Sequence, residues 1–209
     1  MVNGKVNIAL AGGPCTGKST LAANLFANLK NRGYDYDLVQ EECRKLKKEF
    51  GNFRTSFERL YMWRQQEREE TRSTAEHGFV TDKPLFHYYV HARQYSSEPR
   101  DKMAVRELFR MCLEIEDRYQ LIVIARNPLE ILYRTDGSRS SAQKIAIQRH
   151  ELIRSFVEHF WPQKLLFVNG SLEQRLAQAL ERTDAMLKGE YQTDPTITSP
   201  WLHHPDEEL

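Results

Sequence analysis

The stretch Gly12-Gly13-Pro14-Cys15-Thr16-Gly17-Lys18-Ser19-Thr20 constrains this chain more than any other part of it. An apolar run from Lys5 to Leu10 (KVNIAL) precedes it. Residues with helical apolar spacing follow it, namely Leu21, Leu25, Phe26 and Leu29, and Gly33 ends them. Gly12, four residues, then Gly17-Lys18-Ser19 fits the G-x4-G-K-[ST] phosphate loop, here in the strand-to-helix context that the motif requires. Its glycines let the backbone curl so that successive N–H groups face inward, and the positive end of the next helix completes an anion cradle. Lys18 supplies a point charge for terminal phosphates, and Ser19 offers a hydroxyl to a bridging Mg2+. The nine residues from Gly12 to Thr20 are thus expected to hold a nucleoside triphosphate.

The rest of the chain alternates short apolar runs with helical patterns. YDYDLVQEE reads as a second strand ending in carboxylates, and Thr55 to about His77 as a long polar helix with Gly78 at its stop. GFVTD is a third strand ending at Asp82, followed by a helical pattern from Pro84 to Tyr95 with proline early in it. Asp101 to Tyr119 is amphipathic, LIVIA at 121–125 is a strand, and 126–142 is a polar loop with three arginines. A helix over about 142–160, the strand KLLFVN and a helix from Ser171 to Lys188 complete the pattern. Five such strands alternating with helices imply an α/β fold of three layers, a parallel sheet covered on both faces through right-handed crossovers. One domain over 1–188 is expected, with 189–209, which carry three prolines and an acidic end, as a loosely held tail. In such sheets ligands bind beyond the carboxyl ends of the strands. That edge gathers Gly12–Thr20, Glu41, Glu42, Asp82, Arg126 and Asn169.

Composition narrows the function classes. A net charge of +1 excludes the global cationic field of many duplex-DNA binders, while the run Arg44-Lys45-Leu46-Lys47-Lys48 leaves a local polyanion site open beside the plainer reading of a solvated helix face. Three scattered cysteines, Cys15, Cys43 and Cys112, form neither a disulfide framework nor a zinc pattern. They suit reduced thiols in the cytoplasm. No apolar run of about 18 residues is present, so no membrane partner is expected.

A bound triphosphate is either hydrolysed as a switch or gives its terminal phosphoryl group to an acceptor. Transfer needs a group to orient the acceptor, cations for the moving charge, and exclusion of water. Asp82, ending the third strand in GFVTDKP, can accept a hydroxyl proton or help hold Mg2+. Its structural alternative is to cap the helix that follows. Arg134 and Arg139 in YRTDGSR sit on a glycine-containing loop suited to a lid closing over phosphates, or simply to a solvated surface loop.

GGPCTGKST, the glutamate-arginine pair in EECR, the aspartate in TDKP, the DG-x-R of TDGSR and the final NGSLEQR together give a resemblance that spans residues 5–180. The chain resembles P-loop small-molecule kinases, in particular the group that includes the nicotinamide riboside kinase domain and related phage or bacterial nucleoside and nucleotide kinases. The resemblance implies a P-loop NTPase fold with a five-stranded, nucleoside-kinase-like core and a short arginine-bearing lid, using ATP and Mg2+. It implies Asp82 as the acceptor-side carboxylate, Arg134 and Arg139 as lid cations, and Glu41 and Arg44 beside the acceptor. One departure stands out. Many relatives follow the strand-three aspartate with arginine, and here it is Lys83, which cannot make the same forked phosphate contact.

The acceptor is expected between the second and fourth helical stretches. Phe53, Phe57, Trp63, Gln65, Gln66, Tyr88, Tyr89 and Tyr95 cluster there, as base-stacking groups or as ordinary core. Arg93 in HARQY suits an anionic acceptor. His87 and His91, four apart, have a spacing that can bind metal but lack the glutamate of a zinc protease motif. The sequence thus supports a kinase acting on a nucleoside, nucleotide or nicotinamide-type riboside. Its alternatives are a kinase acting on a nucleic acid end or a modified base in DNA, and a nucleotide-hydrolysing switch or assembly ATPase.

Overall fold

The computed structural model describes residues 4–41, 46, 49, 51, 55–94, 99–125 and 143–191. Five parallel strands, β1 (Ile8–Ala11), β2 (Tyr36–Val39), β3 (Gly78–Thr81), β4 (Leu121–Ala125) and β5 (Leu165–Val168), form one sheet in the order β2-β3-β1-β4-β5. The helices α1 (Lys18–Asn31), α2 (Ser56–Thr71), α3 (Phe86–Arg93), α4 (Pro99–Glu114), α5 (Gln143–Phe160) and α6 (Leu172–Leu187) cover it.

The period of two along each strand sorts the core into two layers. Ile8, Leu10, Leu121 and Val123 pack with Leu21, Leu25 and Leu29 of α1 and Ala179 and Leu180 of α6. The alternate residues Ala9, Ala11, Ile122 and Ile124 pack on the opposite face with Met62 and Trp63 of α2, Phe86 of α3, Leu108 of α4 and Phe156 of α5. The three-layer α/β fold expected from the alternation is therefore the observed one. Trp63, Tyr88 and Tyr89, read from sequence as either stacking groups or core, are buried in this second layer, and Phe57 faces solvent.

The polar helix expected to run to about His77 ends at Thr71 instead. It starts as its sequence suggests, with a capping box between Thr55 and Glu58. Beyond Thr71, β2 and Asp35 just before it capture the chain. Ser73 Oγ donates to Asp37 Oδ2 at 2.8 Å, the amide of Glu76 donates to Asp35 Oδ2 at 3.0 Å, and the amide of His77 donates to the Asp35 carbonyl at 3.0 Å. Gly78 is not a helix stop but the buried first residue of β3 at φ 121°, where a Cβ would lie 2.7 Å from Asn7 Oδ1 and 2.9 Å from the Val6 carbonyl oxygen.

β1 lies at the centre, with β3 on one side and β4 on the other. The connection from β1 runs to β2 on one side and that from β3 runs to β4 on the other, so the crevice between the carboxyl ends of β1 and β3 is the switch point at which open α/β sheets bind ligands. The turns after β1 and β3 emerge there side by side.

Candidate active site at the carboxyl edge of the sheet

β1 hands the chain to a loop whose shape depends on three left-handed residues. Gly12 (φ 121°) turns it out of the sheet, Cys15 (φ 61°) bends it back, and Gly17 (φ 72°) begins α1. The start of α1 has no side-chain cap and no acidic residue in its first turn. The positive end of its dipole therefore meets no carboxylate from its own first turn, an arrangement that suits an anion. Lys18 Nζ donates to the Gly13 carbonyl at 2.5 Å and lies 3.4 Å from Thr16 Oγ1, which itself donates to the Gly13 carbonyl at 2.9 Å. The cation sits across the mouth of the cradle. Ser19 follows it, half-buried, and Thr20 is exposed.

Three helices press on this loop from below and behind. A Cβ on Gly13 would meet the Ala146 carbonyl oxygen of α5 at 2.4 Å, so only glycine fits. The Gly12 amide donates to His87 Nε2 of α3 at 3.3 Å, and the Gly13 amide donates to His150 Nδ1 of α5 at 3.3 Å. Both imidazoles are buried. Burial, with Lys83 and Lys18 next, holds His87 well below the ordinary imidazole range. Burial, with Lys18 and Arg154, pushes His150 down to about 4. Arg175 of α6, also buried, donates from Nη1 to the Thr16 carbonyl at 3.5 Å and from Nε to the Ser171 carbonyl at 3.4 Å.

Asp82 follows β3 directly and is 9% exposed. Its Oδ1 has no hydrogen-bond partner among the described residues. It does not cap α3, whose N-cap is Leu85 with no side-chain cap bond. The turn carrying it is held by Thr81 Oγ1, which accepts from the Lys83 amide and from Gln66 Nε2, each at 3.4 Å, and by Tyr119 Oη, which accepts from the Leu85 amide at 3.0 Å. Lys83 is buried, with Nζ 3.4 Å from Glu41 Oε1 and 5.5 Å from the centre of the Tyr88 ring. A buried carboxylate oxygen without a partner and a serine hydroxyl are hard oxygen donors, the set that suits Mg2+. The uncapped helix start with Lys18 suits the phosphates that such an ion accompanies.

The structure brings Gly12 to Ser19, Glu41, Asp82 and Lys83 to one edge of the sheet. It places Arg93 at the carboxyl end of α3, exposed and hydrogen-bonded to Tyr89. Arg44, Arg134 and Arg139 lie outside the described residues, as do Glu42, Phe53, Tyr95, Arg126 and positions 192–209. Among the described residues, no three His, Cys, Asp or Glu side chains gather as a metal cluster, and His87 and His91 stack with ring centres 6.2 Å apart. Sequence reading missed the loop-holding roles of His87, His150 and Arg175. Arg175 lies within NGSLEQR, but nothing in that run points to Thr16.

The sequence matches a family model described as an AAA domain (AAA_28) over residues 7–175. No curated protein matches it. Among solved structures, a NadR protein in complex with NAD and AMP-PNP superposes with a TM-score of 0.68 at 18% identity, over 91% of this chain and 51% of that one. A NadR protein in complex with NR superposes with a TM-score of 0.64 at 19% identity, over 91% of this chain and 53% of that one. The chain spans about half the length of these NadR chains. The likeness is one of fold, a five-stranded parallel sheet covered by helices with the phosphate loop after its central strand.

Proposed function

This chain belongs to the AAA domain family, and we propose that it is an ATP- and Mg2+-dependent kinase, a phosphotransferase acting on a hydroxyl or phosphate of a nucleoside, nucleotide or nicotinamide-type riboside. One observation carries the choice of transfer over hydrolysis. A carboxylate that is 9% exposed, with one oxygen lacking a partner among the described residues, ends the strand beside the phosphate loop. A buried acceptor atom left unpaired is costly unless something pairs with it when substrate is present. A donating acceptor hydroxyl is such a group.

In this reading the loop amides and Lys18 hold the terminal phosphates. Ser19 and Asp82 would hold Mg2+, which supplies charge neutralisation at the phosphate oxygens. The acceptor oxygen forms a bond to the terminal phosphorus, and the bond from that phosphorus to the bridging oxygen breaks. ADP leaves, and Asp82 takes the proton when the acceptor is a hydroxyl. The Lys83–Glu41 pair flanks the acceptor side, with Arg44 and Arg93 as further contacts. Arg134 and Arg139 supply the lid cations.

The NadR structures in complex with AMP-PNP and with NR support this reading by fold. Among the described residues no helix is long and apolar enough to cross a membrane. The test is incubation with γ-labelled ATP and Mg2+ against a panel of nucleosides, nucleotides, nicotinamide riboside and DNA oligomers. Label on a small molecule supports the proposal. Label on DNA alone favours the nucleic-acid alternative, and label released only as free phosphate favours the switch.

A further inference from the structure

We infer that His87 and His150 are positioning residues of the phosphate loop, two imidazoles that latch its first two amides to α3 and α5. The inference rests on the loop being a nucleotide site and goes beyond that reading by assigning two residues that no loop motif contains.

Gly12 and Gly13 precede α1 and are both buried, so their amides lie outside the helix's own hydrogen bonds and away from bulk solvent. Each such N–H would cost about 1–3 kcal/mol if left unpaired. An imidazole answers each, from different helices, over sequence separations of 75 and 137 residues. The fit is close. A Cβ on Gly12 would lie 2.9 Å from His150 Nδ1, and the Gly13 position touches the α5 backbone. The later residues of the loop and the start of α1 face the phosphates, while its first two amides face the protein. The imidazoles thus hold the fixed half of the loop and leave the cradle half for ligand.

The arrangement demands specific protonation states. An imidazole nitrogen accepts only when it carries no proton. His87 must carry its proton on Nδ1 and His150 on Nε2, the opposite tautomers. Burial and the nearby cations favour neutral rings, the hydrogen bond to the Ala125 backbone alone favouring a proton on His150. Lys83, Lys18 and His150 face His87, with His91 stacked on it, and Lys18 and Arg154 face His150. Every charged group named is cationic, and all of them oppose a second proton. Both helices also bear on the chemistry. α3 follows the turn carrying Asp82 and Lys83, so His87 ties that turn to the loop that Lys18 closes.

Two substitution pairs test this. His87→Gln and His150→Asn put an amide oxygen near the accepting nitrogen, whereas His87→Leu and His150→Leu remove the acceptor. Mg2+–ATP affinity is read by titration, without any phosphoryl acceptor, on variants shown to be folded. Each leucine variant is expected to bind roughly tenfold more weakly, and each amide variant within about threefold of the parent protein. Nitrogen-15 NMR of the free protein at pH 7 should show two neutral imidazoles with the opposite tautomers stated. Leucine variants that bind as the parent does, amide variants that lose as much as leucine variants, or a cationic or reversed imidazole would each overturn the inference. If the leucine variants fail to fold, the amide variants and the tautomers decide. Failure of the parent protein to bind ATP would instead remove the underlying nucleotide-site reading.

Discussion

Lys18 Nζ lies 2.5 Å from the carbonyl oxygen of Gly13, so the loop's own cation is paired with its own backbone across the mouth of the cradle. The ammonium has three donors, and phosphate oxygens of a nucleotide tail would add the attraction of opposite charges to the neutral acceptor it already has. Lys18→Ala is expected to lower phosphoryl transfer roughly 10²- to 10³-fold, the scale seen when one oxyanion donor is removed. Its melting temperature should stay within a few degrees of the parent protein.

Gly13 is where the loop and α5 touch. A methyl group there would sit 2.4 Å from the Ala146 carbonyl oxygen, which is backbone and cannot swing aside. Gly13→Ala should therefore destabilise by about 1–3 kcal/mol, as overpacking does, and should also weaken Mg2+–ATP binding. Thermal unfolding and nucleotide titration of the same preparation check both.

Cys15 holds a left-handed conformation, φ 61°, that side chains with a Cβ adopt at a cost of about 1–2 kcal/mol. A β-branched side chain is the worst fit there. Cys15→Val should lower the urea midpoint, and Cys15→Gly should not.

Features with local causes are legible in the sequence, and features with distant causes are not. The phosphate loop is legible because glycine, lysine and serine specify it within nine residues, and the five strands because each apolar run is bounded by its own turn signals. Asp82 is legible because it ends such a run. The early end of α2 is not, because the groups that capture the chain are Asp37 of β2 and Asp35 just before it. Likewise nothing near His150 in sequence reveals that its ring accepts from Gly13, 137 residues away. The helical pattern at 143–160 says only that position 150 faces inward. Arg175 reaches Thr16 across 159 residues for the same tertiary reason.

Acid should weaken the fold through the same histidines. His150 is pushed down to about 4, below the unfolded value near 6.5, so the unfolded chain binds more protons between those limits. Its contribution is full above pH 6.5 and is lost as pH falls through about 4. His87 and His91 shift in the same direction, with burial the first cause in each. Burial pushes Glu70 up to about 7 against the pull of Arg118, and its contribution runs oppositely, full below 4.5 and lost as pH rises through about 7. Comparing the parent protein with His150→Asn isolates one group. The stability difference between them should shift steadily against the parent as pH falls from 6.5 to 4, measured by urea unfolding. Parallel curves would assign the shift elsewhere.

Asp82 is expected to act mainly on the group being transferred, with the loop amides, Lys18 and Ser19 carrying most of the nucleotide's grip and Asp82 only part of the hold on Mg2+. The most direct measurement pairs single-turnover transfer with Mg2+–ATP affinity in Asp82→Asn, using whichever acceptor the panel identifies. Turnover is expected to fall by roughly 10²- to 10⁴-fold, with affinity within about threefold of the parent protein. Turnover unchanged, or turnover and affinity falling together by the same factor, would contradict that role for Asp82.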